Sequence, residues 1–110
     1  MASGTIQFPK NNFGTQVDLK GYSTYANKYV CPCDGYVVIQ AGNGTAYRGR
    51  LFGANATAET QPYIDLWAAH SATGSYYNAN VVFVRRGMQV RSITGQDNNA
   101  NTAFYFEPLE

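Results

Sequence analysis

The chain has 110 residues, with eight Lys and Arg against seven Asp and Glu, so its formal net charge is only +1. That balance excludes the strong basic excess that a phosphate backbone demands, and no stretch approaches the ~20 apolar residues of a membrane span. Charged residues make up 14% of the chain and aromatics 15%, nine of them tyrosines, a composition of β-structure with polar, uncharged surfaces.

Residues 1–13 are mixed and polar, an N-terminal arm or edge strand, and residues 14–109 form a single β-sandwich domain. The first residues lack the basic stretch and apolar run of a signal peptide, so the chain is made as an intracellular protein or has lost its signal. Val17 and Leu19 alternate with Asp18 and Lys20 until Gly21 breaks the run. Tyr29 to Cys31 is a short strand stopped by Pro32. Asp34-Gly35 signals a turn into Tyr36 to Ala41, whose β-branched run lacks clean alternation and leaves open a strand covered on both faces. Gly42-Asn43-Gly44 reads as a hairpin turn. From Thr45 to Phe52, Ala46, Arg48 and Arg50 fall on one side and Tyr47, Gly49 and Leu51 on the other.

Residues 53–60 are a loop of small residues. Tyr63 to Ala68 is the next strand. Its alanines favour helix, but Tyr63, Ile64 and Trp67 favour strand, and the surroundings are β throughout. After a loop over 72–75, Tyr76-Tyr77 and Val81 to Val84 form one interrupted strand or two. Arg85-Arg86-Gly87 turns the chain, with the glycine free to take positive φ. Met88 to Ile93 is a strand, 95–101 a polar loop, and Ala103 to Phe106 the closing strand, ended by Pro108. Strand-like runs at roughly 8–12-residue spacing predict an all-β fold, a jelly-roll-type β-sandwich of about eight antiparallel strands.

Catalytic chemistry finds little to work with. A Ser-His-Asp hydrolase needs a histidine placed between nucleophile and acid. The one histidine, His70, has Ser71 beside it on the opposite face of an extended chain, and no G-x-S-x-G elbow exists. Gly42-Asn43-Gly44 lacks a phosphate loop's lysine and following helix. Cys31 and Cys33 share one face, where a disulfide across a single residue would be strained. Zinc would need about four ligands. Two reduced, partly buried thiols are therefore expected, with no metal and no cofactor.

Most carboxylates sit beside turn residues, as Asp often does. Asp65 is the exception, because it lies inside an apolar strand and shares a face with Tyr63 and Trp67. Aromatic rings can cover sugar C–H groups while an acid accepts hydroxyl protons, so Tyr63, Asp65 and Trp67 form a possible ligand face. The plainer alternative is a solvent-facing strand side with an ordinary cross-strand pair. Nine tyrosines exceed what one small core can satisfy, which makes Tyr22, Tyr25, Tyr76 and Tyr77 candidates for a subunit interface.

Three segments, taken together, resemble a known type of domain. Tyr29-Val30-Cys31-Pro32-Cys33-Asp34-Gly35-Tyr36-Val37-Val38 resembles the apolar–Pro–Asp–Gly–Tyr–Val segment of small β-sandwich domains in phage tail and head fibre proteins. Val82-Phe83-Val84-Arg85-Arg86-Gly87-Met88-Gln89-Val90 is similar to their strand-turn-strand, and Ala103 to Leu109 to their closing aromatic strand. The Cys-Pro-Cys segment departs from that pattern, and no receptor-binding residue carries over, because tip loops vary. The resemblance implies a jelly roll akin to trimeric tumour-necrosis-factor and C1q-like heads.

The expectation is a non-enzymatic virion module made in the bacterial host cytoplasm: a fibre-tip, decoration or receptor-binding domain. Its partners would be further copies of itself, a trimer above all, with other virion proteins or a host-surface receptor, glycans included. The alternative is a carbohydrate-binding module centred on Trp67.

Overall fold

The computed structural model describes residues 16–70, 77–93 and 101–109. Eight strands and no helix occur among them: β1 Val17–Asp18, β2 Tyr29–Val30, β3 Gly35–Gly42, β4 Ala46–Phe52, β5 Tyr63–Ala69, β6 Tyr77–Val84, β7 Gln89–Ser92 and β8 Thr102–Pro108. They form two antiparallel sheets, the first in the order β1-β8-β3-β6 and the second β2-β7-β4-β5. The pairs β1–β8, β2–β7, β3–β6 and β4–β5 nest inside one another like one long hairpin. Rolling that hairpin over adds the pairs β3–β8 and β4–β7. This winding is the jelly roll.

The outcome differs from the sequence expectation at one turn. Asn43 and Gly44 do take positive φ, 53° and 74°, the tight-turn geometry that Asn-Gly favours. The strands they join do not pair, however: β3 lies in the first sheet and β4 in the second. An Asn-Gly pair fixes a local reversal, but the pairing partners are chosen by burial elsewhere in the chain. Gly42 N–H instead donates to Thr45 Oγ1 at 3.1 Å, and the Thr45 hydroxyl returns to Gly42 O at 2.5 Å, which locks the corner. The turn at Gly87 has φ 92°, as its glycine allows.

Alternation places the side chains. In β3, Val37, Ile39 and Ala41 are buried, while Tyr36, Val38 and Gln40 are half-buried on the far side. The strand is thus one-faced, and its run of apolar residues covers core and outer surface in turn. Tyr47, Leu51, Leu66, Val84, Val90, Phe104 and Phe106 complete the core between the sheets. Phe104 reaches across to the second sheet, where Gly49 leaves room for its ring, and its centroid stands 5.6 Å from that of Tyr47.

Both cysteines are free thiols, Cys31 buried and Cys33 half-buried. Burial, helped by the neighbouring Cys33, pushes the Cys31 thiol up to about 11 from an ordinary value of 9.0. An acid whose folded value is raised stabilises the fold below its unfolded value and loses that contribution as pH rises through the folded one. Unfolding midpoints in urea should therefore fall between about pH 9 and 11, and Cys31→Ala should make that decline shallower, leaving the part due to Tyr29 and Tyr47, whose phenols burial also pushes up. Iodoacetamide at pH 8 should label Cys33 well before Cys31.

Candidate functional site: the outer face of the second sheet

The period-two alternation of β5 sends Leu66 and Ala68 inward and leaves Tyr63, Asp65 and Trp67 exposed. The three predicted residues therefore do share one face. At two residues per step they span ~13 Å. Across the ladder, Phe52 faces Tyr63, Arg50 faces Asp65 and Arg48 faces Trp67. The next strand brings Arg91 opposite Arg50. The face is thus a row of aromatic rings interleaved with guanidiniums.

Its charges are unevenly paired. Glu59, from the loop after β4, accepts from Arg50 at 2.9 Å and pairs with Arg91 as well. Asp65 lies 3.9 Å from Arg50 Nε, too far for a hydrogen bond, and that Nε is buried without an acceptor among the described residues. Arg91 also donates to Ser23 O at 2.7 Å. Arg50 stacks over Tyr63 at 4.4 Å from its centroid, and Arg48 stands 5.3 Å from that of Trp67. Arg48 has no carboxylate partner among the described residues. Trp67 remains 48% exposed beneath it.

Beyond Trp67 the sandwich has a seam. β5 and β6 are the neighbouring outer strands of the two sheets, and no backbone ladder joins them. Asn78 and Asn80 bridge the gap, each donating a side-chain amide to a β5 carbonyl, Ala69 O and Trp67 O respectively. A shallow groove of about 380 Å³ follows, lined by Trp67, Ala69, Asn78 and Asn80 among others.

The tyrosines expected at an interface are placed differently from one another. Tyr22 packs edge-on against Tyr29 with centroids 5.2 Å apart, at the margin of the core. Tyr25 stands edge-on to Phe52 at 5.0 Å and donates its hydroxyl to Gln89 Oε1 at 2.8 Å. Both rings are half-buried and hold the loop before β2 onto the second sheet. Tyr76 and the Tyr77 side chain lie outside the described residues, as do Ser71 and Asp97.

His70 follows β5 half-buried, its backbone N–H donating to Thr45 O at 3.0 Å. Asp34 takes a turn role, accepting from Arg86 N–H at 2.8 Å. Among the described residues no three His, Cys, Asp or Glu side chains come together as metal ligands, and no helix is long and apolar enough to cross a membrane.

Sequence reasoning named β5's contribution to the face but not the arginines that complete it. Arg48 and Arg50 were visible as alternating residues; that they lie beside Trp67 and Asp65 depends on register, which no local pattern encodes. No protein-family model, no curated protein and no solved structure matches this chain.

Proposed function

We propose that the chain is a non-enzymatic structural module of a phage or prophage virion, a fibre-tip, decoration or receptor-binding domain. It assembles with copies of itself through the outer face of the first sheet and leaves the second sheet's outer face for recognition.

One observation carries this reading. Cross-strand register sets Tyr36 beside Phe83, and Val38 between Val81 and Tyr105, on the first sheet's outer side. Val81 is 60% exposed and Phe83 47%. A contiguous apolar sheet face of this kind marks an interaction surface. The resemblance to trimeric heads gives the stoichiometry.

Light scattering coupled to size-exclusion chromatography is the test. The expected mass is three chains. Phe83→Asp, which places a charge on the proposed contact while its backbone pairing stays intact, should yield a folded monomer. A wild-type monomer at high concentration would overturn the assembly reading.

The carbohydrate-module alternative keeps a specific observation in its favour, the exposed Tyr63, Asp65 and Trp67 on one face.

A further inference from the structure

The outer face of the second sheet carries three guanidiniums, Arg48, Arg50 and Arg91, against two carboxylates, Glu59 and Asp65. Arg50 and Arg91 share Glu59, and Asp65 lies toward Arg50. Among the described residues the unmatched charge is therefore Arg48, at the Trp67 end. There the indole offers a flat apolar surface, and the groove beside it adds the Asn78 and Asn80 side chains. Their amide nitrogens are taken by β5 carbonyls, and their oxygens accept from no described residue. A ring to stack on, acceptors on both flanks and one unneutralised cation are thus gathered within a few residues.

That combination selects its ligand. A polyphosphate or nucleic-acid strand would meet Glu59 and Asp65 along the same row and be repelled. A neutral sugar would leave Arg48 unused. We propose that this face binds a saccharide bearing a carboxylate, a uronic or sialic type of sugar. One pyranose ring would lie on Trp67, with its carboxylate paired to Arg48 and its hydroxyls donating to Asp65 and the Asn80 amide oxygen. Guanidinium–carboxylate pairs are among the stronger polar contacts, and a half-exposed aromatic ring loses little by being covered. The inference rests on the recognition role proposed for this face and is independent of how copies assemble.

Trp67 is the chain's single tryptophan, so intrinsic fluorescence reads the site directly. The wild-type chain is titrated with sialyllactose and with trigalacturonate, each alongside its carboxyl methyl ester. At least one acid should shift or quench the emission saturably and bind about tenfold or more tighter than its ester, the factor expected for one charge-assisted hydrogen bond. Added salt should narrow that gap. Arg48→Gln should erase the acid-over-ester preference and leave residual binding of both forms, whereas a merely structural role for Arg48 would weaken the two equally. Trp67→Ala, followed by calorimetry, should abolish binding with the thermal midpoint little changed.

Absence of any response to either acid at millimolar concentration would overturn the proposal, as would equal affinity for acid and ester. A change in oligomeric mass on Trp67→Ala would also overturn it, because the face would then be a subunit contact. A wild-type monomer that still prefers acid over ester would sink the assembly reading and leave this one standing.

Discussion

Phe104→Ala should lower the stability of the chain by about 3–5 kcal/mol, the range for removing a buried aromatic ring. Phe104 is 1% exposed and is the side chain that ties the two sheets together at their centre. Its ring lies over Gly49 and against Tyr47, so its removal opens a cavity bounded by strands that cannot close without moving a whole sheet. Domains of this size have total stabilities of roughly 5–15 kcal/mol, so the loss is a large share. A thermal midpoint lowered by roughly 15–25 °C is expected. Differential scanning calorimetry at one fixed protein concentration would measure it, since the proposed assembly would make the midpoint concentration-dependent. A loss under about 1 kcal/mol would mean that the sheets are not held by this contact.

The same contact predicts the second large effect from the opposite side. A Cβ added at Gly49 would stand 2.5 Å from Phe104 Cζ and 3.0 Å from the backbone oxygen of Arg91. Neither neighbour is free to yield, because the ring is enclosed and the carbonyl belongs to the adjoining strand. Gly49→Ala should therefore cost about 1–3 kcal/mol through overpacking. Gly53→Ala is the control, since nothing lies within 4 Å of its Cβ position; it should be neutral or slightly stabilising. Pairing Gly49→Ala with Phe104→Leu should recover part of the loss, a non-additivity that denaturant unfolding would register. Strict additivity would place the clash elsewhere.

These two residues also show where sequence reading reaches its limit. The alternation from Ala46 to Leu51 was legible and put Gly49 on one side with Tyr47 and Leu51, which in the structure is the inner side. That its missing side chain makes room for Phe104, 55 positions later in the chain, was not. Period-two patterning states which way a side chain points; it carries no information on which strand arrives opposite. The same division holds at Asn43-Gly44, where the turn was readable and its sheet-to-sheet role was not.

It holds at the candidate site as well. Tyr63, Asp65 and Trp67 could be placed on one face from spacing alone, because they belong to one strand. Glu59 comes from a loop and Arg91 from a strand two places away in the sheet, so only the assembled fold joins them. Tyr22 and Tyr25 looked surplus to a small core. Half-burial lets a tyrosine bury its ring and keep its hydroxyl at a polar partner, as Tyr25 does with Gln89, so a count of tyrosines overstates how many lack a place within the chain.

The nesting of the strands has a mechanical consequence. β1 runs antiparallel to β8, with Val17 opposite Phe106, so the first described strand begins and the last one ends at the same pole. Tension applied between those two points acts across the β1–β8 ladder, along its hydrogen bonds. It would load the rungs one after another, as a zip is opened, instead of straining them all in shear. Among the described residues the ladder consists of Val17 and Asp18, with Leu19 N–H bonded to Phe104 O at 2.8 Å beyond them, a short run of rungs at this edge for such a pull to open. Force borne through one end and the flat face of the first sheet would leave that edge unloaded, so how the domain is held decides how much pull it survives.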